Sequence, residues 1–166
     1  MIAIQIKDIK SFMTKLLNSE LFDFFLLEEA QLRTYNNFLI DGHMNRDFFT
    51  KEELEDPEIF PYEYSLWKTI KPIIFQLIKG KKVPSLLKLT LLFSPQKAHE
   101  LLVASGNQDL ITPLKYFVAT IKYDSHGLWI TTGISFSAFV ADKTADTLWD
   151  QYLCNFLWEN HIDYSL

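Results

Sequence analysis

Apolar residues recur along this chain at two different spacings, which separate predicted helices from predicted strands. Between positions 9 and 17 they fall three or four residues apart, so a helix is predicted to begin after Asp8. Pro95 suits the first position of a second helix, over residues 95–104. Paired apolar residues repeat every four positions within 144–161, which predicts a C-terminal helix with one apolar face.

Six further segments are rich in the residue types that favour strands. They cover residues 1–6, 22–35, 38–49, 85–93, 110–123 and 128–140. The pair Asn36-Asn37 separates the second segment from the third and is a turn signal. The sequence "DSHG" at 124–127 separates the last two segments. A hairpin is therefore predicted at each of these two turns.

Two helical segments are predicted between the third and fourth strands. Thr50 and Glu53 have the spacing of a capping box, which predicts a short exposed helical turn that ends before Pro57. Residues 62–82 carry an apolar stripe with helical spacing. Pro72 lies inside this stripe and has no N–H to donate, so we expect it to kink or split the helix.

The order of these elements predicts an α+β fold in a single domain of residues 1–166. Residues 2–49 and 86–140 each follow the order strand, helix, strand, strand. We expect residues 1–140 to form one antiparallel sheet, with the helices of both units on the same side. The opposite face is then left for the split central helix or for solvent, and the C-terminal helix completes the architecture.

Composition narrows the range of functions. Hydrophobic residues make up 48% of the chain and charged residues 22%, as in a folded globular domain. The net charge of −5 argues against a polycation that binds nucleic acid over its whole surface. The chain has only five glycines, so a glycine-rich phosphate-binding loop is not expected. No cofactor is predicted.

Cysteine content and hydropathy bear on the cellular compartment. Cys154 is the single cysteine, which excludes an intramolecular disulfide and a cysteine-based zinc site. The N-terminal apolar stretch is too short for a signal peptide, and no run is long and apolar enough to span a bilayer. We therefore expect a cytoplasmic protein with no membrane partner.

The stretch Asp124-Ser125-His126 contains the three residue types of a hydrolase triad. Triad members come from distant segments that place the imidazole between hydroxyl and carboxylate, whereas neighbouring side chains in a strand point away from one another. We therefore interpret this stretch as a turn and predict that His126 is exposed. The other histidines show no metal-ligand pattern, so neither a metal site nor a catalytic residue is predicted.

The apolar face of the C-terminal helix carries an aromatic stripe, formed by Trp149, Tyr152 and Phe156. Such a stripe can dock the helix on the sheet. It can also form a contact with another subunit, because Trp and Tyr are enriched at protein interfaces. A homo-oligomer that assembles through this helix is the partner that the stripe suggests.

Longer stretches carry two resemblances. "MIAIQIKDIKSFMTKLL", "LIDGHMNRDFF" and the helix that contains Trp67 resemble a family of uncharacterised bacterial proteins, which implies no activity. "SPQKAHELLVASGNQDLI" and the two hairpin strands after it resemble half of a DNA sliding-clamp domain. The clamp resemblance implies helices that line a DNA-facing surface. The residues that would face nucleic acid are Lys7, Lys10, Lys15 and Lys97.

Three functional hypotheses follow. The first is a non-enzymatic binding or scaffold protein that self-associates, because no catalytic motif is found. The second is a nucleic-acid-associated relative of sliding clamps, which requires a contiguous lysine surface. The third is a small enzyme, which requires a deep pocket that holds His43 or His99 beside a carboxylate.

Overall fold

The molecule consists of an eight-stranded sheet with helices on one of its faces. The computed structural model describes every residue from Met1 to Leu166. The strands are β1 (Ala3–Ile6), β2 (Phe25–Arg33), β3 (Asn37–Asp41), β4 (Ser65–Leu66), β5 (Leu86–Phe93), β6 (Leu114–Asp124), β7 (Gly127–Phe136) and β8 (Tyr164–Ser165). The helices are α1 (Ile9–Asn18), α2 (Lys51–Glu55), α3 (Trp67–Ile78), α4 (Pro95–Ala104) and α5 (Thr144–Glu159). None of these helices is both long and apolar enough to cross a membrane.

The strands lie in the order β3, β2, β5, β6, β7, β1 and β8. The short β4 also pairs with β2, next to the end of β3. Every pairing in the sheet is antiparallel. The predicted α+β fold with one antiparallel sheet is therefore confirmed, and the C-terminal β8 extends it beyond the predicted strands.

Alternation along the strands gives the sheet one apolar face and one mainly polar face. Buried residues such as Leu89, Phe117 and Ile130 form the apolar face. Helices α1, α3, α4 and α5 all add buried side chains to the core on this face. Helices α1 and α4 thus lie on the same side of the sheet, as predicted. Helix α3 lies there too, because the indole N–H of Trp67 donates to the Leu16 carbonyl of α1 at 3.2 Å.

Side-chain caps set the starts of three helices where the sequence predicts them. Asp8 caps α1, and Thr50 and Glu53 exchange both hydrogen bonds of a capping box at α2. Ser94 caps α4, with Pro95 at its first position. Each cap satisfies backbone N–H groups that a helix start leaves without partners.

Helix α3 is continuous across Pro72, so of the predicted kink or split, the split does not occur. Proline removes one backbone hydrogen bond, here the bond to the carbonyl of Lys68. Both residues are exposed, so water can take the place of the missing N–H at low cost. The apolar face of α3 packs into the core on both sides of Pro72.

The predicted return strand over 38–49 is wrong beyond Asp41, because the chain leaves β3 at Gly42. The Gly42 N–H donates to the Glu28 carbonyl, and the Gly42 carbonyl accepts from the Ser65 N–H, both at 2.8 Å. A β-carbon at position 42 would lie 1.8 Å from the Leu27 carbonyl oxygen. Only glycine therefore allows this close approach to β2.

The "DSHG" stretch is a tight hairpin turn in which Asp124 pairs with Gly127. Gly127 has a φ of 110°, which favours glycine. Hydrogen bonds from the Lys122 ammonium and the His126 N–H lower the pKa of Asp124 to about 2. The His126 side chain is 86% exposed, which confirms the predicted turn.

The two units with the same element order differ in their strand pairing. Strand β1 pairs with β7 and β8, whereas β5, its counterpart in the second unit, pairs with β2 and β6. A two-fold relation between the units would give β1 and β5 equivalent neighbours. The pairing therefore does not confirm a clamp-like arrangement, which stays a prediction.

Candidate ligand-binding site on the uncovered sheet face

The aromatic stripe of α5 lies against the sheet. Trp149 is fully buried, its ring stacks on Phe117 with centroids 5.2 Å apart, and its indole N–H donates to the Val118 carbonyl at 2.8 Å. Tyr152 and Phe156 are half-buried and stack on each other. Trp149 thus belongs to the core, and only Tyr152 and Phe156 keep surface that a partner could contact. Self-association through α5 stays a prediction.

Three of the four lysines predicted to face nucleic acid contact other groups of the chain. The Lys15 ammonium donates to the Asn160 and His161 carbonyls, at the C-terminal end of α5. Lys97 lies over the Phe24 ring, 5.1 Å from its centroid. The Lys7 ammonium donates to the Gln5 side chain of β1 at 2.9 Å. Lys10 is exposed on α1. These contacts engage three different parts of the molecule.

The histidines named for an enzyme site lie at the surface. His43 is 3.1 Å from the Asp41 carboxylate, but both side chains are more than half exposed. His99 is exposed on α4. No three His, Cys, Asp or Glu side chains of the molecule lie close enough together to hold a metal ion. The deep pocket with a histidine beside a carboxylate, which the enzyme hypothesis requires, is not formed by these residues.

The face of the sheet opposite the helices is mainly polar. Strands β5 and β6 contribute three successive facing pairs to it: Lys88 with Lys122, Thr90 with Thr120, and Leu92 with Val118. The row that contains Lys88 and Lys122 continues onto the neighbouring strands. Trp129 on β7 faces Lys122, and Gln31 on β2 faces Lys88. Helices α1, α3, α4 and α5 pack on the opposite face, and we call this surface the uncovered face.

A pocket of about 520 Å³ opens on the uncovered face where the chain returns from β3. Its floor includes Leu92 and Val118 from the third facing pair. Its other lining residues are Glu28, Glu63, Tyr64, Lys115, Tyr116 and Ser135. They come from β2, β6, β7 and the end of the segment 42–64, so the pocket forms only when the sheet is assembled.

A β-bulge and the close approach at Gly42 build one wall of this pocket. The register of β2 against β5 shifts between Leu27 and Glu29, which leaves Glu28 as the extra residue. The backbone bond from Gly42 to Glu28 then brings the segment 42–64 over the bulge. As a result the Tyr64 ring meets the Tyr116 ring edge-on, with centroids 5.7 Å apart.

Four polar groups of the pocket have no hydrogen-bond partner within the chain, although the Tyr64 ring also packs against the His43 ring, with centroids 4.3 Å apart. Neither carboxylate, on Glu28 or Glu63, makes a hydrogen bond or an ion pair, and neither phenol, on Tyr64 or Tyr116, makes a hydrogen bond. Lys115 at the rim is exposed and is also without an ion-pair partner. Polar groups that converge in a concave site without internal partners are typical of ligand-binding sites.

Two carboxylates and one ammonium line the pocket, so its formal charge is negative. Burial and then the charges of Glu28 and Glu63 raise the pKa of Tyr64. Burial, followed by Tyr64 and the same two carboxylates, raises the pKa of Tyr116. Both phenols are therefore neutral over the physiological range. Because these tyrosines ionise less readily in the folded protein than in the unfolded chain, raising the pH above about 10 lowers the stability of the fold.

Replacing Glu28 and Glu63 together by glutamine should lower the pKa of Tyr64 and Tyr116 toward the ordinary tyrosine value. The glutamines remove two negative charges but leave the burial of the rings in place, so only part of the shift should disappear. Absorbance titration of tyrosinate, with Tyr64→Phe and Tyr116→Phe to assign the signals, measures both values. The double variant Glu52→Gln with Glu55→Gln, on exposed α2, is the matched control. Equal tyrosine pKa values in both double variants would contradict this account.

Sequence patterns alone do not identify these pocket residues. Glu63 and Tyr64 lie in the segment predicted to open the central helix, and Tyr116 lies in a strand with no unusual feature. The adjacent pair Glu28-Glu29, directly after the apolar run Phe24–Leu27, is the one local signal, because a bulge can place both on the polar face.

Fold and site together define an α+β protein with a one-sided helical layer and an acidic, aromatic pocket on the uncovered face of its sheet. The chain belongs to the family described as "Family of unknown function (DUF5721)", whose model matches residues 15–165. This membership agrees with the resemblance to uncharacterised proteins. No curated protein and no solved structure matches the chain.

Proposed function

We propose that this protein is a binding protein whose pocket holds the cationic group of a ligand, an ammonium or a guanidinium. The observation that carries the proposal is the convergence of Glu28, Glu63, Tyr64 and Tyr116 on one pocket without internal partners. A binding role agrees with the first of the sequence hypotheses, and it moves the binding surface from helix α5 to the sheet.

Charge and ring chemistry both favour a cation in this pocket. The pocket lining carries two negative charges, on Glu28 and Glu63, and one positive charge, on Lys115, so negative charge is in excess. The faces of aromatic rings attract cations, with about 0.5–2 kcal/mol for each contact. The hydrophobic floor of Leu92 and Val118 suits the alkyl stem that leads to an amine.

Weak affinity is expected for a single cationic group. One or two ring contacts and partly exposed ion pairs sum to about 4 kcal/mol, which corresponds to a dissociation constant of about 1 mM. NMR chemical-shift titration suits this range. Nα-acetyl-lysine amide and Nα-acetyl-arginine amide are the probes, and Nα-acetyl-glutamate amide is the anionic control.

The cationic probes should shift the backbone signals of β6 and of residues 62–65, and the anionic control should not. The variant with Glu28→Gln and Glu63→Gln should bind the lysine probe at least about fivefold more weakly, while the α2 control pair Glu52→Gln and Glu55→Gln should bind it normally. Binding that is equal for the cationic and anionic probes, or unaffected by the glutamines at 28 and 63, would refute the proposal.

A further inference from the structure

The uncovered face carries opposite charges at the two ends of one track, and this arrangement points to a longer ligand. We infer that the protein binds an extended peptide segment that places a basic side chain in the pocket and an acidic side chain on Lys88 and Lys122. The inference rests on the proposed function, because the basic side chain is the cation that the pocket holds.

The track is formed by the three facing pairs of β5 and β6. It runs from Leu92 and Val118 on the pocket floor, past Thr90 and Thr120, to Lys88 and Lys122. Both threonines are only half-buried, so their hydroxyls can reach the backbone of a ligand. Because all six residues alternate onto the same face, they form one continuous row of side chains across β5 and β6.

The two lysines form an anion-binding end of the track. They occupy directly opposite positions on neighbouring strands, a placement that like charges oppose unless an anion lies between them. Lys122 shares its charge with Asp124 at 2.8 Å, whereas Lys88 has no ion-pair partner. A carboxylate ligand would therefore meet the unpaired ammonium of Lys88 and the ammonium of Lys122, which is also paired with Asp124. Trp129 lies beside Lys122.

Strand geometry gives the length of the ligand. Lys122 lies four residues from Val118 along β6, which corresponds to about 13 Å. An extended peptide covers this distance in four residues. Residues separated by four point to the same side of an extended chain, whereas a separation of three or five directs them to opposite sides. A basic and an acidic residue four positions apart therefore fit the track, and odd separations do not.

Peptide spacing tests this inference directly. Acetylated, amidated peptides that begin with lysine, end with aspartate and contain two, three or four serines between them differ only in that separation. Titration of the intact protein should find the three-serine peptide about tenfold tighter than Nα-acetyl-lysine amide, and the other two close to the lysine probe.

Two variants identify the charges responsible. Lys88→Gln alone keeps the Lys122–Asp124 pair and should remove most of the tenfold gain, and Lys88→Gln with Lys122→Gln should remove all of it. Both should still bind the lysine probe. The control with Lys10→Gln and Lys97→Gln changes the net charge equally on the helical side and should keep the full gain. Thermal melts confirm that each variant is folded.

Each outcome separates the two proposals. Equal affinity for all three peptides, or a gain that survives in both Lys88 variants, overturns the peptide inference while binding of the lysine probe upholds the pocket. Failure of the lysine probe itself overturns both. A labelled single-stranded oligonucleotide that binds at low salt and loses affinity in the Lys88 and Lys122 variant would assign the lysine row to nucleic acid and overturn the peptide inference.

Discussion

Replacement of Trp149 by alanine should destabilise the protein by roughly 3–5 kcal/mol, the range for loss of a buried large aromatic side chain. The side chain is fully buried between α5 and the sheet. Its loss removes the stacking with Phe117 and the hydrogen bond to the Val118 carbonyl, and it opens a cavity beneath α5. Chemical denaturation of the variant and the unmodified protein measures the difference.

Two further variants on α5 separate packing from self-association. Phe156→Ala should cost less than Trp149→Ala, because Phe156 is only half-buried. Trp158→Ala is the control on the same helix, because Trp158 is 77% exposed and a surface substitution changes stability by about 0.5 kcal/mol or less. Melting temperatures that rise with protein concentration would support an oligomer through α5, and their independence of concentration would assign the stripe to packing alone. A Trp149→Ala variant as stable as the Trp158→Ala variant would contradict the burial of Trp149.

Gly42→Ala should destabilise the protein by about 3 kcal/mol or more, at the upper end of the cost of overpacking. The new β-carbon would lie 1.8 Å from the Leu27 carbonyl oxygen and 2.9 Å from that of Glu28. Both oxygens belong to the sheet backbone and cannot rotate away, so the segment 42–64 must move. That movement displaces Tyr64 from Tyr116, and binding of the lysine probe should be lost as well.

Gly133→Ala is the matched control for this substitution. A β-carbon at position 133 would meet the Val118 β-carbon at 3.7 Å, an ordinary contact on the same face of the sheet. Its stability should therefore change by about 1 kcal/mol or less. Denaturation curves of the two variants give the comparison. Similar stability of both would mean that the close approach at Gly42 is not required.

Local patterns predict much of this fold because local forces decide those parts. Asp8 and Ser94 cap helices α1 and α4, and the hairpin at Asp124 depends on a glycine with positive φ. The absence of a split at Pro72 has a different cause, since packing of α3 on the sheet outweighs one missing hydrogen bond. Sequence rules for helices describe an isolated segment, whereas the destabilisation caused by a proline also depends on how the helix packs in the folded protein.

The candidate site could not be predicted because its parts meet only through long-range contacts. Glu28 enters the pocket through a bulge, whose position depends on the register between β2 and β5. Tyr64 reaches Tyr116 because Gly42 approaches β2, which concerns residues far apart in the chain. Lys88 and Lys122 likewise face each other only because β5 pairs with β6. A pattern along one segment carries no information on such neighbours.

The position of β1 has a consequence for how the protein folds. Ile4 pairs with Ile130, and Ile6 pairs with both Leu128 and Tyr164, so the first strand is enclosed by two strands from the far end of the chain. During synthesis β1 emerges early but finds its partners only after β7 and β8 have left the ribosome. Contacts between residues this far apart in sequence slow folding, because the conformational entropy of the intervening chain is lost before the contacts can form. Until then the nascent chain carries Ile4 and Ile6 without their strand partners, and exposed apolar segments of this kind promote aggregation during folding.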